Sequence, residues 1–322
     1  MRHAANLAAF LTLCLLACVL PACAPATRPL FGAMPYESWR ILGAKPDFAR
    51  SGSGADETLV GKGPIPANGF LASPRELGDF RLAVDVRLGS ADNPTGEKMN
   101  SGIQIRSREK DGTCAGLQVE VDPTPRAWSG GVYDERGRGW LAPLDGGDAA
   151  GAAARAAFRL GEWNRYEIEC IGPRVRTRVN GVPCAEWFDG TVSGLLAFQV
   201  HGGPPCEVAF RGARLEELGA HAWRPCGDGA PAIDIHTRGV RFLLRGGGEI
   251  VLRSARGEPL ARIAIAPGEA SDAPRLVEAV WLEGAGAVLV GGKRAEKLRL
   301  SEQPARAEIS GDASGTETLA PR

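Results

Sequence analysis

The sequence predicts an all-β protein with two folded units, a β-sandwich with long loops followed by a smaller β unit. Short segments with period-two alternation follow one another between Gly and Pro residues. The chain has 43 glycines and 23 prolines but only 3 tyrosines and 3 methionines, a composition that indicates many turns. Its 322 residues exceed one typical domain. These observations favour strands over helices throughout.

The first unit is predicted over residues 36–219. An Asn-Gly pair at Asn180 and Gly181 predicts a tight hairpin, because both positions of such a turn need positive φ angles. The segment Asp148 to Phe158 is rich in Ala and Gly, which fits a helix and a flexible loop equally well. The strand-like segments in this unit are Phe80–Leu88, Ser101–Ser107, Gly116–Asp122, Arg165–Ile171, Arg174–Gly181, Gly194–Gly202 and Cys206–Leu218.

The composition changes over residues 220–232, which are predicted to be a linker. Beyond it, residues 233–302 contain short apolar segments such as "GVRFLLR" and "GAVLVGG" between Gly-rich turns, and they predict a small β domain. Residues 303–322 carry no apolar cluster and are predicted to be a disordered tail.

Residues 1–23 are typical of an export signal, because an apolar run from Leu7 to Leu20 follows two basic residues and is too short to span a membrane. "LLAC" and "LPAC" resemble the bacterial lipobox, so Cys18 or Cys23 is the expected lipidation site and residues 24–35 a leader linker. The alternative is cleavage near Ala22 to Ala24 and release of a soluble protein. We expect a periplasmic or cell-surface protein that contacts the membrane only through this N-terminal lipid anchor.

Export implies an oxidising compartment, in which five cysteines beyond the signal could pair. Their odd number leaves at least one thiol outside such pairs. These cysteines are Cys114, Cys170, Cys184, Cys206 and Cys226.

Lys plus Arg equals Asp plus Glu at 38 each, so the chain has no net charge that would attract nucleic acid, and nucleic acid is not an expected partner.

The segment "GLQVEVD" places Gln118, Glu120 and Asp122 on one phase and apolar residues on the other. Alternation alone is typical of a strand with a solvent-facing side. Two other strands repeat the pattern, however, with Gln104 and Arg106 on one and Gln199 and His201 on the other. If these strands are neighbours, their polar sides form a patch that could bind a polyhydroxylated ligand and hold a general base.

His201 is the only imidazole in the predicted first unit, so it is a candidate acid or base as well as a candidate surface group.

A long Gly-rich segment, Pro123 to Asp148, carries Trp128, Tyr133 and Trp140. These rings could stack on sugar faces or could fix the loop to the core.

Five ordered motifs over residues 36–218 resemble the bacterial 3-keto-disaccharide hydrolase family. They are "GKGPIPANGFLASPRELGDFRLAVDVRL", "MNSGIQIRS", "GLQVEVDPTPRAWSGGVYDE", "LGEWNRYEIECIGPRVRTRVNGVPCAEWFDG" and "LLAFQVHGGPPCEVAFRGARLEEL". The resemblance implies a concanavalin-like jelly-roll fold, related to laminin-G and glycosidase sandwiches. It does not extend to the C-terminal unit.

The resemblance also implies cleavage of glycosides already oxidised at C3 of the sugar. The ketone acidifies the C2 proton, a base removes that proton, the enolate expels the C1 substituent, and water addition gives the free 3-keto sugar. Glu120 and His201 are the expected acid and base. The expected sugar contacts are Gln104, Arg106, Gln118, Asp122, Trp128, Tyr133 and Gln199, with Arg106, Gln118 or a divalent cation stabilising the enolate. No metal is certain, and its candidate ligands are Glu120, Asp122 and His201.

Two other functions fit the same residues. A noncatalytic carbohydrate-binding or adhesion module at the cell surface would use the same polar patch without turnover. An ordinary retaining glycosidase would use Glu120 and Asp122 as its two carboxylates, which should then face each other at about 5 to 5.5 Å.

Overall fold

The computed structural model describes residues 26–89, 97–226, 233–268 and 273–322, and it confirms the all-β prediction. In this part of the chain the helices are α1 (Leu30–Ala33), α2 (Ala149–Arg155) and two short 3₁₀ turns, Tyr36–Ser38 and Gly54–Asp56. The strands of the first unit are β1 Arg28–Pro29, β2 Arg40–Gly43, β3 Asp47–Ser51, β4 Thr58–Lys62, β5 Gly69–Ala72, β6 Asp79–Gly89, β7 Ser101–Lys110, β8 Thr113–Val121, β9 Val132–Glu135, β10 Gly139–Ala142, β11 Asn164–Ile171, β12 Arg174–Val179, β13 Val182–Phe188, β14 Leu195–Val200 and β15 Glu207–Gly219.

These strands form two antiparallel sheets that pack as a jelly-roll sandwich. One sheet has the order β13-β12-β11-β6-β15-β4-β3, with β1 on β15, and the other has the order β10-β9-β8-β7-β14-β5-β2. We call the second one the cleft sheet. The core between the sheets takes the apolar phase of each strand, including Ile103 of β7, Val119 of β8 and Phe198 of β14. The opposite phase of the cleft sheet therefore faces away from the core.

Two local predictions for the sandwich have a clear outcome. Asn180 and Gly181 adopt φ angles of 51° and 79° in the turn between β12 and β13, which confirms the predicted hairpin. Of the two alternatives for the Ala-rich segment, the structure has the helix α2, whose first turn is capped by the Asp148 carboxylate through a 2.8 Å bond from the Gly151 amide.

The C-terminal unit is a third antiparallel sheet. Its strands are β16 His221–Pro225, β17 Gly239–Arg253, β18 Pro259–Ile265, β19 Arg275–Leu282, β20 Ala285–Val290, β21 Lys293–Arg299 and β22 Arg306–Pro321. They have the order β16-β22-β17-β19-β20-β21, with β18 on β17. The inner apolar residues form a separate core, while Val280 and Leu289 pack into the core of the sandwich.

The expectation of a disordered tail over residues 303–322 is wrong. β22 pairs along most of its length with β17 and at its end with β16, so the backbone groups of this polar segment are paired inside a sheet. The expected linker over residues 220–232 is also partly wrong, because His221–Pro225 is the edge strand of the same sheet; residues 227–232 lie outside the described residues.

The leader over residues 24–35 is not a linker where the structure describes it. Arg28 and Pro29 pair with β15, and Leu30, Phe31 and Met34 are buried in the sandwich core. The chain is thus anchored to the fold before residue 36, because these apolar side chains are buried on folding.

The five cysteines of the described residues, Cys114, Cys170, Cys184, Cys206 and Cys226, are free thiols. The expected signal, with Cys18 and Cys23, lies outside the described residues. Within the described ranges, neither helix has the length and apolar character needed to cross a membrane.

Candidate active-site cleft

A cleft of about 480 Å³ lies on the outer side of the cleft sheet. Its floor comes from β8 and β14, which lie on either side of β7 in the sheet, so the three strands that carry the polar pattern are neighbours. Loops at the ends of the strands and the β9–β10 hairpin supply its walls. The lining residues are Asn68, Lys98, Asn100, Gln118, Glu120, Thr124, Arg126, Tyr133, Glu135, Trp140, Gln199 and His201.

A row of side-chain hydrogen bonds crosses the floor and ends at Glu120. The Ser107 hydroxyl donates to Gln104 Oε1 at 2.5 Å, and Gln104 Nε2 donates to Gln118 Oε1 at 2.6 Å. Gln118 Nε2 then donates to Glu120 Oε1 at 2.6 Å. Since each amide donates in the same direction along the row, their dipoles are aligned toward the carboxylate. We call this row the amide relay.

Gly102 makes room for the relay. It lies opposite Glu120 in the β7–β8 register, and a Cβ built there would lie 2.4 Å from Gln118 Cδ. Any side chain at this position would therefore displace Gln118 from its place beside Glu120. This close approach gives a physical reason for the glycine in the "NSGI" segment.

Glu120 combines burial with access to the cleft. Its side chain is almost fully buried, and its second oxygen accepts a 3.0 Å bond from Asn100 Nδ2. Burial raises the pKa of Glu120 from 4.5 to about 7, against the opposing effect of the hydrogen bonds from Asn100 and Gln118. A carboxylate with a pKa near neutrality is suited to take a proton from a weak carbon acid and to return it.

Gln199 and His201 flank the cleft from β14 and the residues after it. Both polar atoms of the Gln199 side-chain amide are buried without a hydrogen-bond partner, although Gln199 lines the cleft. A ligand that supplies hydrogen-bond partners to such an amide gains binding free energy, because the amide has none in the free protein. Burial lowers the pKa of His201, although a bond with the Gly202 backbone acts in the other direction. His201 is therefore a neutral imidazole at neutral pH.

Asp122 shapes the wall rather than lining the cleft. Its Oδ1 accepts bonds from the Thr124 amide and hydroxyl at 3.2 and 2.6 Å, and its Oδ2 lies 3.0 Å from Arg126 Nη2. These contacts place Thr124 and Arg126 at the cleft. Asp122 therefore acts on the cleft through its neighbours, and its direct contact with a sugar stays a prediction.

Aromatic side chains form one side of the cleft. Tyr133 and Trp140 line it and meet edge to face, with ring centroids 5.3 Å apart. Trp128 does not line the cleft but packs on Trp140 at 4.6 Å. The Arg126 guanidinium lies 5.3 Å from the Trp140 ring centroid. The rings of the long predicted loop thus both support the wall and present surface to a ligand.

Several residues that line the cleft were not predicted from the sequence. Glu135 shares a phase with Tyr133 in "VYDE", a signal that alternation could have given. Burial raises the pKa of Glu135, and Asn68 Nδ2 donates to its carboxylate at 3.2 Å. Asn68 and Lys98 come from loops, where the sequence pattern carries no such signal.

The prediction that Arg106 shares the polar face with Gln104 is wrong. The β7–β8 register shifts between Ile105 and Arg108, and Arg106 has a φ of 48°, so the strand bulges at this position. The bulge exchanges the sides of the sheet on which the next side chains of β7 lie. Arg106 Nη1 donates to the Thr191 carbonyl, and Nη2 lies 3.5 Å from Asp79 of the other sheet. Ser107 takes the place on the cleft side that alternation assigns to Arg106.

Arg176 and Arg178 share one phase of the sequence with Asn180, but they lie away from the cleft because β12 belongs to the other sheet. The suggested metal ligands Glu120, Asp122 and His201 do not assemble: no group of three or more His, Cys, Asp or Glu in the described ranges is placed to hold a metal ion. Asp122 is occupied by Thr124 and Arg126, so these side chains do not form a metal-binding set.

The chain is similar to one protein family and to several solved structures. A search of curated proteins finds no match. A protein from Parabacteroides distasonis, assigned provisionally as a glycosyl hydrolase, has a solved structure that is 17% identical, with 60% of this chain and 100% of that chain covered and a TM-score of 0.40. A carbohydrate-binding module from Bacillus subtilis is 13% identical, over 55% of this chain and 98% of that chain, with a TM-score of 0.38.

A Bacillus subtilis protein with a galectin-like fold is 13% identical, over 60% of this chain and 96% of that chain, with a TM-score of 0.35. The family model matches residues 26–216, which include the whole cleft and end before the C-terminal sheet. The chain therefore belongs to the family of 3-keto-alpha-glucoside-1,2-lyase-like domains.

Proposed function

We propose that the protein cleaves 3-keto glycosides by elimination and hydration, with Glu120 as the base. The observation that carries the proposal is the amide relay, which ends at a buried carboxylate whose pKa is about 7. The base for this reaction must be ionised near neutral pH and still bind a proton well enough to remove one from carbon. A carboxylate at its ordinary pKa would be a much weaker base.

In the first stage, Glu120 takes the proton from C2 and an enolate forms at the C3 oxygen. The Gln199 side-chain amide and the Lys98 ammonium group line the cleft and can donate to that oxygen. The enolate then expels the C1 substituent as the C1–O bond breaks. The departing oxygen takes the proton held by Glu120, so the carboxylate is regenerated and an unsaturated 3-keto sugar remains.

In the second stage, water adds to C1 of that intermediate. His201 is suited to this step because a neutral imidazole can accept a proton from the attacking water. The proton then passes from His201 to C2, which restores the saturated ring. The net reaction consumes one water and gives an alcohol and a free 3-keto sugar.

The decisive experiment compares a 3-keto disaccharide with its unoxidised parent, using purified protein in D₂O. We expect cleavage of the keto sugar alone, with deuterium incorporated at C2 of the product. The value of kcat/KM should fall about tenfold per pH unit below about pH 7, because Glu120 must be deprotonated. Glu120→Gln should lose turnover, whereas Glu167→Gln, a change on the exposed outer side of β11, should keep it.

Three results would contradict the proposal. Cleavage of the unoxidised parent at a similar rate would favour an ordinary glycosidase. Cleavage without deuterium at C2 would exclude proton removal from that carbon. Sugar binding without cleavage of either substrate would favour the noncatalytic carbohydrate-binding module.

A further inference from the structure

The β9–β10 hairpin supplies three side chains to the wall of the cleft, Tyr133 and Glu135 from β9 and Trp140 from β10. β10 has four residues and lies at the edge of the cleft sheet, and its pairing with β9 is bulged between Trp140 and Ala142. A short, irregular edge strand contributes little stability of its own. Contacts beyond the pairing of β9 with β10 are therefore needed to fix Trp140 at the cleft.

Arg138 lies in the turn of this hairpin, two residues before Trp140, and its guanidinium joins three parts of the chain. Its Nε pairs with the Asp134 carboxylate of β9. Its Nη1 lies 2.7 Å from Asp189 Oδ2, in the loop after β13, and donates to the Gly292 carbonyl at 3.0 Å. Gly292 belongs to the turn between β20 and β21 of the C-terminal sheet. One side chain thus connects the hairpin, the sandwich and the third sheet.

The C-terminal sheet also holds the loop that carries Asp189. Trp223 of β16 donates from Nε1 to the Gly190 carbonyl at 2.8 Å, next to Asp189. The Asp189 carboxylate is buried and accepts a 2.9 Å bond from the Thr191 amide. Breaking an ion pair to a buried carboxylate costs more than breaking one at the surface. Arg138 is therefore held on two sides by elements that belong to the C-terminal sheet or contact it.

The turn of the third sheet packs closely against Arg138. Gly292 has a φ of 76°, and a Cβ built on it would lie 3.0 Å from Arg138 Cδ. The preceding Gly291 also has a positive φ, 57°, but a Cβ built there meets no atom of the described residues within 4 Å, its chain neighbours aside. A methyl group added at Gly292 would therefore press on the arginine, whereas the same group at Gly291 would only strain the turn.

We propose that Arg138 is a positioning residue through which the C-terminal sheet holds the aromatic wall of the cleft. The family match ends at residue 216, so the sheet that supplies Gly292 lies outside it. Loss of the link lets Tyr133 and Trp140 move away from the sugar, but it leaves Glu120 in place, because the amide relay runs along β7 and β8. The effect on the reaction rests on the proposed function, whereas the effect on the hairpin does not.

Steady-state kinetics on a 3-keto disaccharide test the link in two variants. Arg138→Gln removes the ion pairs, and Gly292→Ala presses on Arg138 while it keeps every charge. In both we expect KM to rise about 3- to 10-fold and kcat to stay within about twofold, because the wall supplies the binding that aromatic contacts give. A general loss of folding would instead lower kcat through the active fraction and leave KM unchanged. If Arg138→Gln fails to fold, because two buried carboxylates lose their cation, Gly292→Ala still gives the test.

Two controls change the same region without touching the link. Gly291→Ala adds the same methyl group to the same turn but does not meet Arg138. Glu283→Gln removes another bond between the sandwich and the third sheet, from Arg174 Nη1 to Glu283 Oε2 at 2.8 Å, and neither of these residues lines the cleft. Both controls should keep the KM and kcat of the unmodified protein. An unchanged KM in Arg138→Gln or Gly292→Ala, or an equal rise in Gly291→Ala and Gly292→Ala, would overturn the proposal.

Failure of the proposed function gives a different result, in which the unmodified protein cleaves no keto sugar. Hydrogen exchange followed by mass spectrometry then tests the link without turnover. The amides of residues 132–142 should exchange at least about fivefold faster in Arg138→Gln and Gly292→Ala than in the unmodified protein, and at the unmodified rate in both controls. Equal exchange in all five proteins would show that Arg138 does not hold the hairpin and would overturn the inference.

Discussion

Replacement of Glu120 by glutamine should make stability less sensitive to pH, in addition to removing turnover. A carboxyl group whose pKa is raised on folding contributes stability that is present below its unfolded pKa and is lost as pH rises through the folded pKa. For Glu120 those limits are the ordinary value of 4.5 and the folded value of about 7. Glutamine does not titrate, so the variant lacks this loss.

The magnitude follows from those two values. Their difference corresponds to roughly 3 kcal/mol at high pH, and about 2.5 kcal/mol of it falls between about pH 5 and about pH 8. No discount for solvent screening applies, because the Glu120 side chain is only 3% exposed. The free energy of unfolding of the unmodified protein should therefore fall by about 2.5 kcal/mol more than that of Glu120→Gln over this range.

Urea denaturation followed by tryptophan fluorescence at the two pH values measures this double difference. The new amide must face the donors of Asn100 and Gln118, which adds a cost of about 1 to 3 kcal/mol. That cost is the same at both pH values and cancels, as do the contributions of other buried carboxyls. Glu167→Gln should show the pH dependence of the unmodified protein. If Glu120→Gln also shows it, Glu120 does not have a raised pKa and the reasoning fails.

Three further predictions concern the cleft and the C-terminal sheet. Gly102→Ala should lower kcat/KM at least about tenfold, because the new methyl group displaces Gln118; unchanged kinetics would show that the relay is not needed. Gln199→Leu should weaken sugar binding about tenfold in calorimetry, whereas its melting temperature should not fall, because both amide atoms lack partners in the folded protein; a large drop in melting temperature would contradict this. Removal of residues 304–322 should give a protein that binds a hydrophobic dye and unfolds at lower temperature, because β17 loses β22 as its partner; melting at an unchanged temperature would contradict the pairing.

Alternation was sufficient to predict which side of each strand faces the core. Ile103, Val119 and Phe198 could only be buried between the sheets, and this fixed Gln104, Gln118, Glu120 and Gln199 on the outer side. The error at Arg106 has a definite cause. A bulge adds one residue to a strand without any change in the pattern of residue types. The sequence therefore does not show which side of the sheet the residues after Ile105 face.

The error over the C-terminal tail has a different cause. Residues 306–321 have few apolar side chains, so side-chain burial gives no signal for a strand there. Their backbone groups nevertheless pair with two neighbouring strands, and that pairing depends on residues far away in the chain. Long-range pairing of this kind leaves no local signal. The same limit applies to Asn68, whose position at the cleft depends on the pairing of β5 rather than on its neighbours in sequence.

The cleft is also a place where the chain departs from the rules of a stable sandwich. Gln104 and Gln118 are buried on the outer side of the sheet, and each has its amide paired within the relay. Two other groups of this polar layer are less favourable for stability: burial raises the pKa of Glu120, and the Gln199 amide has no partners. A layer evolved only for stability would place apolar side chains here, since burial of unpaired polar groups is unfavourable. A hydroxylated ligand in the cleft would supply the missing partners of Gln199, so the binding energy of the substrate is available where the proposed reaction needs it.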